Sequence, residues 1–152
     1  MPTHSENRPM PYSAAQMFDL VGDIAQYPEF LPWCTGARIR SSRETETGRV
    51  VEADLIISFK LFRERFTSRV TMQPDAHKIE VEYLDGPFKY LINYWHFIPT
   101  ETGCTVRFHV DFEFKSKVLQ ALIGVVFSEA MRRIVRAFED RASALYGPEQ
   151  QR

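Results

Sequence analysis

The sequence predicts an α+β fold: a curved antiparallel sheet of six to seven strands around one long C-terminal helix, with two short helices after the first strand. Three observations carry this. Apolar and polar residues alternate with period two across Ala37 to Lys115. An apolar stripe recurs every three or four residues between Ser116 and Gly147. A capping signal and a proline-flanked aromatic run occupy the segment between Tyr12 and Cys34. The 152 residues are read as one domain, 1–152.

The first residues read as an edge strand ending at Pro9-Met10-Pro11. A helix from about Ala14 to Asp23 follows. Ser13 and Gln16 have capping-box spacing, and Tyr12 and Met17 are placed for a hydrophobic staple. Pro28 suits the first position of a second short helix that Pro32 ends. The connection holds Tyr27, Phe30, Leu31 and Trp33, an unusual load for a loop; it plugs the core or lines a cavity.

Four strands alternate cleanly. Val51, Ala53, Leu55, Ile57 and Phe59 oppose Glu52, Asp54, Ile56 and Ser58. Phe66, Ser68, Val70 and Met72 oppose Arg65, Thr67, Arg69 and Thr71. Ile79, Val81 and Tyr83 oppose Glu80 and Glu82. Val106, Phe108, Val110, Phe112 and Phe114 oppose Arg107, His109, Asp111 and Glu113. One face of each is buried and one wet. Turns are expected at Glu46-Thr47-Gly48, Lys60-Leu61-Phe62, Pro74-Asp75, Asp85-Gly86-Pro87 and Pro99 to Gly103. In the strand Phe88 to Ile98, Leu91, Asn93, Trp95 and Phe97 share the inward face, which leaves Asn93 as an amide among apolar side chains. It bonds backbone or water, or it donates to a ligand carbonyl. Tyr83 and Ser68 are weaker candidates of the same kind.

Ser116 caps the long helix, and Gly147-Pro148 stop it. Ile123, Phe127, Ala130, Met131, Ile134, Phe138, Ala142 and Leu145 form its inner face. The first turns break the pattern. Val118, Leu119, Leu122, Val125 and Val126 make them apolar nearly all round, so protein, a second copy of the chain or lipid covers them. The run is too short to span a bilayer. With Arg132, Arg133 and Arg136 behind it, it would suit a membrane surface.

Net charge is −1, so no global basic field points to nucleic acid. No phosphate-cradling glycine loop, His-Glu-x-x-His or nucleophile elbow occurs, and His4, His77, His96 and His109 lack metal spacing. His96 and His109 read as solvated strand residues, and most carboxylates fall on wet faces. Cys34 and Cys104 make no disulfide framework or zinc site and fit a reducing compartment. The first eight residues lack a signal-peptide core, so the expected location is cytoplasmic.

Several motifs carry a resemblance. The runs Asp19-Leu20-Val21-Gly22-Asp23 and Tyr27-Pro28-Glu29-Phe30-Leu31-Pro32-Trp33-Cys34 are the most specific. Phe66-Thr67-Ser68-Arg69-Val70, Asp85-Gly86-Pro87-Phe88-Lys89, Asp111-Phe112-Glu113-Phe114-Lys115 and Ala137-Phe138-Glu139-Asp140-Arg141-Ala142 support them, as does the series Leu91, Asn93, Trp95, Phe97. Over roughly Pro9 to Gly147 the chain resembles the coenzyme Q-binding family of START-like proteins, in the superfamily of polyketide cyclases and lipid-transfer proteins. The resemblance implies a helix-grip fold. It also implies non-enzymatic binding and delivery of ubiquinone or a related polyprenyl lipid, in respiration or quinone biosynthesis, with no catalytic cofactor. Bacterial relatives are also described as ribosome-association toxins, so a ribosome partner is the first alternative. A polyketide cyclase or dehydratase is the second, and it needs an acid–base group in the pocket.

On that reading Phe30, Leu31 and Trp33 form a wall or gate. Val70, Trp95, Phe97, Phe108, Phe112, Phe127, Met131 and Ile134 hold the tail, and Asn93 or Tyr83 meets the quinone oxygens. Val118, Leu119, Leu122, Val125, Val126, Arg132, Arg133 and Arg136 touch a membrane during exchange, peripherally at the inner membrane. A homodimer would cover the same apolar turns.

Overall fold

The computed structural model describes residues 3–59 and 62–147. Lys60 and Leu61 of the expected hairpin turn, and Pro148 of the expected stop, lie outside them. The chain runs β1 (Thr3–Met10), α1 (Ala14–Gly22), a 3-10 helix (Ile24–Glu29), β2 (Cys34–Thr45), β3 (Gly48–Phe59), β4 (Phe62–Gln73), β5 (Lys78–Asp85), β6 (Phe88–Thr100), β7 (Gly103–Phe114) and α2 (Lys117–Tyr146). The seven strands form one antiparallel sheet in the order β1-β7-β6-β5-β4-β3-β2. This is the helix-grip arrangement, with α2 across the concave face.

The capping box forms as the spacing requires. Gln16 N–H donates to Ser13 Oγ at 3.0 Å, and Ser13 N–H donates to Gln16 Oε1 at 2.9 Å. The second short helix differs from expectation. It is a 3-10 helix that starts at Ile24, with Pro28 inside it rather than at its head. Gln26 N–H donates to the Asp23 carbonyl at 3.1 Å, so the chain winds on directly from α1 and buries Ile24.

Alternation becomes a two-ended core. Val21, Met72, Ile79, Phe97, Cys104 and Ala142 pack under α1 and the C-terminal half of α2. Phe88, Phe108, Phe112 and Met131 pack nearer the start of α2. Gly103 turns β6 into β7 at φ +156°, where an added Cβ would lie 2.1 Å from the Met10 carbonyl oxygen. Ser116 Oγ accepts from Leu119 N–H at 3.1 Å and Gly147 caps the far end of α2. Tyr12 Oη donates to the Gly147 carbonyl at 2.8 Å, fastening that end to the start of α1.

Two expected wet-face residues are less solvated than the alternation implies. His96 is half-buried, and burial, then the charges of Lys78, Arg107 and His77, lowers its pKa. Asp54 is 3% exposed on the outer face. Thr67 Oγ1 donates to its Oδ1 at 2.5 Å, and Arg40 Nε donates to its Oδ2 at 2.8 Å. Arg40 reaches it because β2 shifts register between Ile39 and Ser41. Burial alone would raise the carboxyl's pKa, but Thr67, Arg40 and the charge of Arg65 together bring it below its ordinary value. A depressed carboxyl stabilises the fold above its unfolded pKa and loses that contribution as pH falls through the folded value. Asp54→Ala is therefore expected to cost about 2 kcal/mol at neutral pH. In urea titrations the two proteins should converge in acid.

Candidate functional site

Between the concave sheet face and α2 lies a cavity of about 290 Å³. The sheet supplies alternate residues. Leu55 and Ile57 come from β3, Phe66, Ser68 and Val70 from β4, Asn93 and Trp95 from β6, and Phe108, Val110 and Phe112 from β7. From α2 come Leu119, Ile123, Ala130, Met131 and Ile134, one face at helical spacing. Leu31, Pro32, Trp33 and Cys34 close one side.

Aromatic rings set much of the wall. The Trp95 and Phe108 ring centroids lie 4.5 Å apart, and Phe88 packs edge-on to Phe66 at 5.4 Å and to Phe112 at 5.5 Å. Trp33 adopts φ 65°, a left-handed conformation unusual for a bulky residue. It is held there by Ser58 N–H, which donates to its carbonyl at 2.8 Å, and by edge contact with Phe59 at 5.7 Å. That conformation turns the indole onto the cavity.

Polar groups are few. Asn93 Nδ2 donates to the His109 carbonyl at 2.9 Å. Ser68 is buried in the wall, and Glu64 joins from the start of β4. Tyr27 donates its hydroxyl to the Val21 carbonyl, and burial, then the charges of Cys34 and Asp23, pushes its phenol up. Cys34 donates its S–H to the Gly36 carbonyl at 3.6 Å; burial raises its thiol, partly offset by that bond. Cys104 lies in the core, where burial pushes its thiol up to about 11. Among the described residues no group of three or more His, Cys, Asp or Glu is placed to hold a metal ion.

Of the expected ligand contacts, Leu31, Trp33, Val70, Asn93, Trp95, Phe108, Phe112, Met131 and Ile134 line the cavity. Four others stand elsewhere. Phe30 packs on Phe138 at 5.3 Å with the Arg141 guanidinium 5.2 Å from its ring, beside an outer groove. Tyr83 points inward near the end of β5, but its hydroxyl accepts from Phe88 N–H at 3.0 Å and its ring stacks edge-on to Phe88. It braces the β5–β6 turn. Phe97 is 0% exposed, packed against Phe18 and Trp95 in the core under α1. Phe127 rests on Phe112 at 5.7 Å and faces His4 of β1 at 6.4 Å.

On the expected membrane side, Val118 and Val125 are 70% and 85% exposed, and Leu122 and Val126 are half-exposed. Arg132, Arg133 and Arg136 are exposed as expected. Leu119 is the exception: 100° around the helix from Val118, it is buried and lines the cavity. Glu64 was missed as a wall residue, although it keeps phase with Phe66, Ser68 and Val70 two residues before the cleanest alternation begins.

Comparison with known proteins agrees with this architecture. The chain is 39% identical over 147 residues to the ribosome association toxin RatA of Escherichia coli (strain K12), covering 96% of this chain and 90% of that protein. It is 34% identical over 149 residues to the coenzyme Q-binding protein COQ10 homolog B, mitochondrial, of Xenopus laevis, covering 95% of this chain and 59% of that protein. The solution structure of the 18 kDa protein CC1736 from Caulobacter crescentus superposes with a TM-score of 0.80 at 38% identity, over 97% of this chain and 100% of that one. Residues 10–139 match the polyketide cyclase/dehydrase and lipid transport family, and the chain belongs to that family.

Proposed function

We propose that the protein binds a polyprenyl quinone, or a related ring-bearing isoprenoid lipid, in this cavity and delivers it without chemical change, in respiratory electron transport or quinone biosynthesis. The observation that carries this reading is a partly open space of about 290 Å³ walled by apolar and aromatic side chains, with an amide, a hydroxyl and a carboxylate as its non-aromatic oxygen groups. Ligand pockets run from about 300 to 1,000 Å³, so this one suits a ring and the first part of a tail. Glu64 stands in the wall without a basic partner among the described residues. Solvent extraction of the purified protein and mass spectrometry test the reading. Quinone near one equivalent is expected; an empty, well-folded protein after incubation with quinone-loaded vesicles would overturn it.

The rest of a long tail would lie outside, where water penalises each exposed CH₂ by about 0.8 kcal/mol. A carrier of this kind works at a lipid surface. The exposed Val118 and Val125, with Leu122 and Val126, offer an apolar tip. Arg132 follows about 10 Å further along the axis, near headgroup depth when the tip enters the acyl boundary. Arg132 and Arg133 share Glu129, whereas Arg136 has no ion pair among the described residues. No helix among the described residues is long and apolar enough to cross a membrane. In flotation with anionic vesicles, Leu122→Asp with Val125→Asp is expected to reduce association about tenfold. Unchanged flotation removes the membrane contact, and a changed elution volume assigns the face to a second copy of the chain.

A ribosome-binding role is the second reading. It is supported by the relative named for ribosome association and by Arg38, Arg43, Arg63 and Arg65. These four are exposed on the outer face of β2 to β4, without ion pairs among the described residues. Contacts to phosphate would make cosedimentation with ribosomal subunits fall steeply with salt. Cosedimentation that is absent at low salt excludes this reading.

A further inference from the structure

We propose that the cavity reads a hydroxyl group on the ligand's ring, so that a quinol or phenol binds in preference to the quinone of the same chain length. The proposal rests on the lipid-binding reading and adds the chemical form of the ligand. It starts from Asn93. The His109 carbonyl only accepts, so the amide is fixed with nitrogen toward β7 and Oδ1 away from it. Oδ1 has no partner among the described residues, and no buried side-chain nitrogen or oxygen there lacks one. Oδ1 therefore keeps open surface, and the wall position of Asn93 turns that surface to the cavity.

Ser68 provides the second end. It is 3% exposed and lines the cavity, and its hydroxyl bonds to no other group among the described residues. Ser68 pairs with Tyr83, whereas Asn93 pairs with Val81, so the two lie two strands and two residues apart on the same face. Sheet spacings put their Cα atoms about 12 Å apart. A six-membered ring with oxygens at opposite ends, plus a hydrogen bond of about 2.8 Å at each end, spans about that distance.

A ring entering this space displaces water from Oδ1. A ring hydroxyl replaces the lost hydrogen bond, whereas a quinone oxygen only accepts and leaves Oδ1 unpaired. Ser68 serves either form, and so do the indole N–H groups of Trp33 and Trp95, because both forms carry oxygen lone pairs. Tyr27 and Cys34 have their hydrogens committed to backbone carbonyls. Glu64 adds another acceptor to the wall and favours the same form.

The test uses a redox-inert pair, 4-geranylphenol and its O-methyl ether, titrated calorimetrically into the lipid-stripped protein, with geranyl-substituted benzoquinone as a third ligand. The phenol is expected to bind about tenfold more tightly than the ether. Asn93→Leu is expected to abolish the difference. Ser68→Ala, which leaves the Asn93–His109 bond intact, is expected to weaken the quinone, the one ligand of the three with an oxygen at each end of the ring, and to keep the preference for phenol over ether. Equal affinities for phenol and ether in the parent overturn this proposal alone. Binding of none of the three ligands overturns the cavity reading beneath it. A preference that survives in a folded Asn93→Leu protein overturns the assignment to Oδ1.

Discussion

Ala130→Phe is expected to empty the cavity while leaving the fold intact. Ala130 is buried on α2 and faces the space directly, opposite the β7 side chains Phe108, Val110 and Phe112. A benzyl group there occupies room that a ligand ring would take, and it meets apolar partners on every side. Filling an apolar void returns dispersion contacts that the lining had lost. The thermal midpoint should therefore hold or rise, while lipid recovered by extraction falls about tenfold or more. Val110→Phe approaches the same space from the sheet and should act alike. Full lipid occupancy in both stable variants would place the ligand outside this cavity.

Phe97→Ala should do the opposite, lowering stability while removing no side chain that lines the cavity. Phe97 is 0% exposed and packs between Phe18 and Trp95, beyond the cavity. Truncating a fully buried phenylalanine costs about 3–5 kcal/mol through lost transfer energy and an unfilled hole. For a chain of this size the midpoint should fall by about 10 °C. Below that temperature the folded fraction should extract as much lipid as the parent, in contrast to Ala130→Phe. A loss of lipid with unchanged stability would return Phe97 to the ligand-binding wall.

Phe97 also illustrates what period-two reading can and cannot deliver. Alternation places Leu91, Asn93, Trp95 and Phe97 on one face, and all four do face inward. It carries no information on how far along the strand the helix lifts away, which decides whether an inward residue meets solid core or open space. Tyr83 is a similar case: its direction is legible, but its hydroxyl is taken by a turn amide brought close only by the β5–β6 connection. Leu119 went astray because a helix apolar on all sides gives no phase, and one step of 100° separates the buried Leu119 from the exposed Val118. β2 left almost no pattern, since most of its length is exposed and little of it needs to be apolar. The capping box and the Ser116 cap, by contrast, were readable because each is a local bond between residues three apart.

That weakly patterned strand has a consequence for the behaviour of the protein in concentrated solution. A sheet that does not close keeps a free rim, and β2 runs along it for 12 residues. A straight, greasy rim of that length would recruit strands from neighbouring molecules into growing aggregates. Here the rim is kinked twice, where the pairing slips at Cys34/Gly36 and at Ile39/Ser41. Arg38 and Arg43, which have no ion pair among the described residues, punctuate it with like charge. A second molecule approaching edge to edge would meet mismatched hydrogen-bond spacing and guanidinium groups facing guanidinium groups. The irregularity that let Arg40 reach Asp54 is thus also a guard against polymerisation.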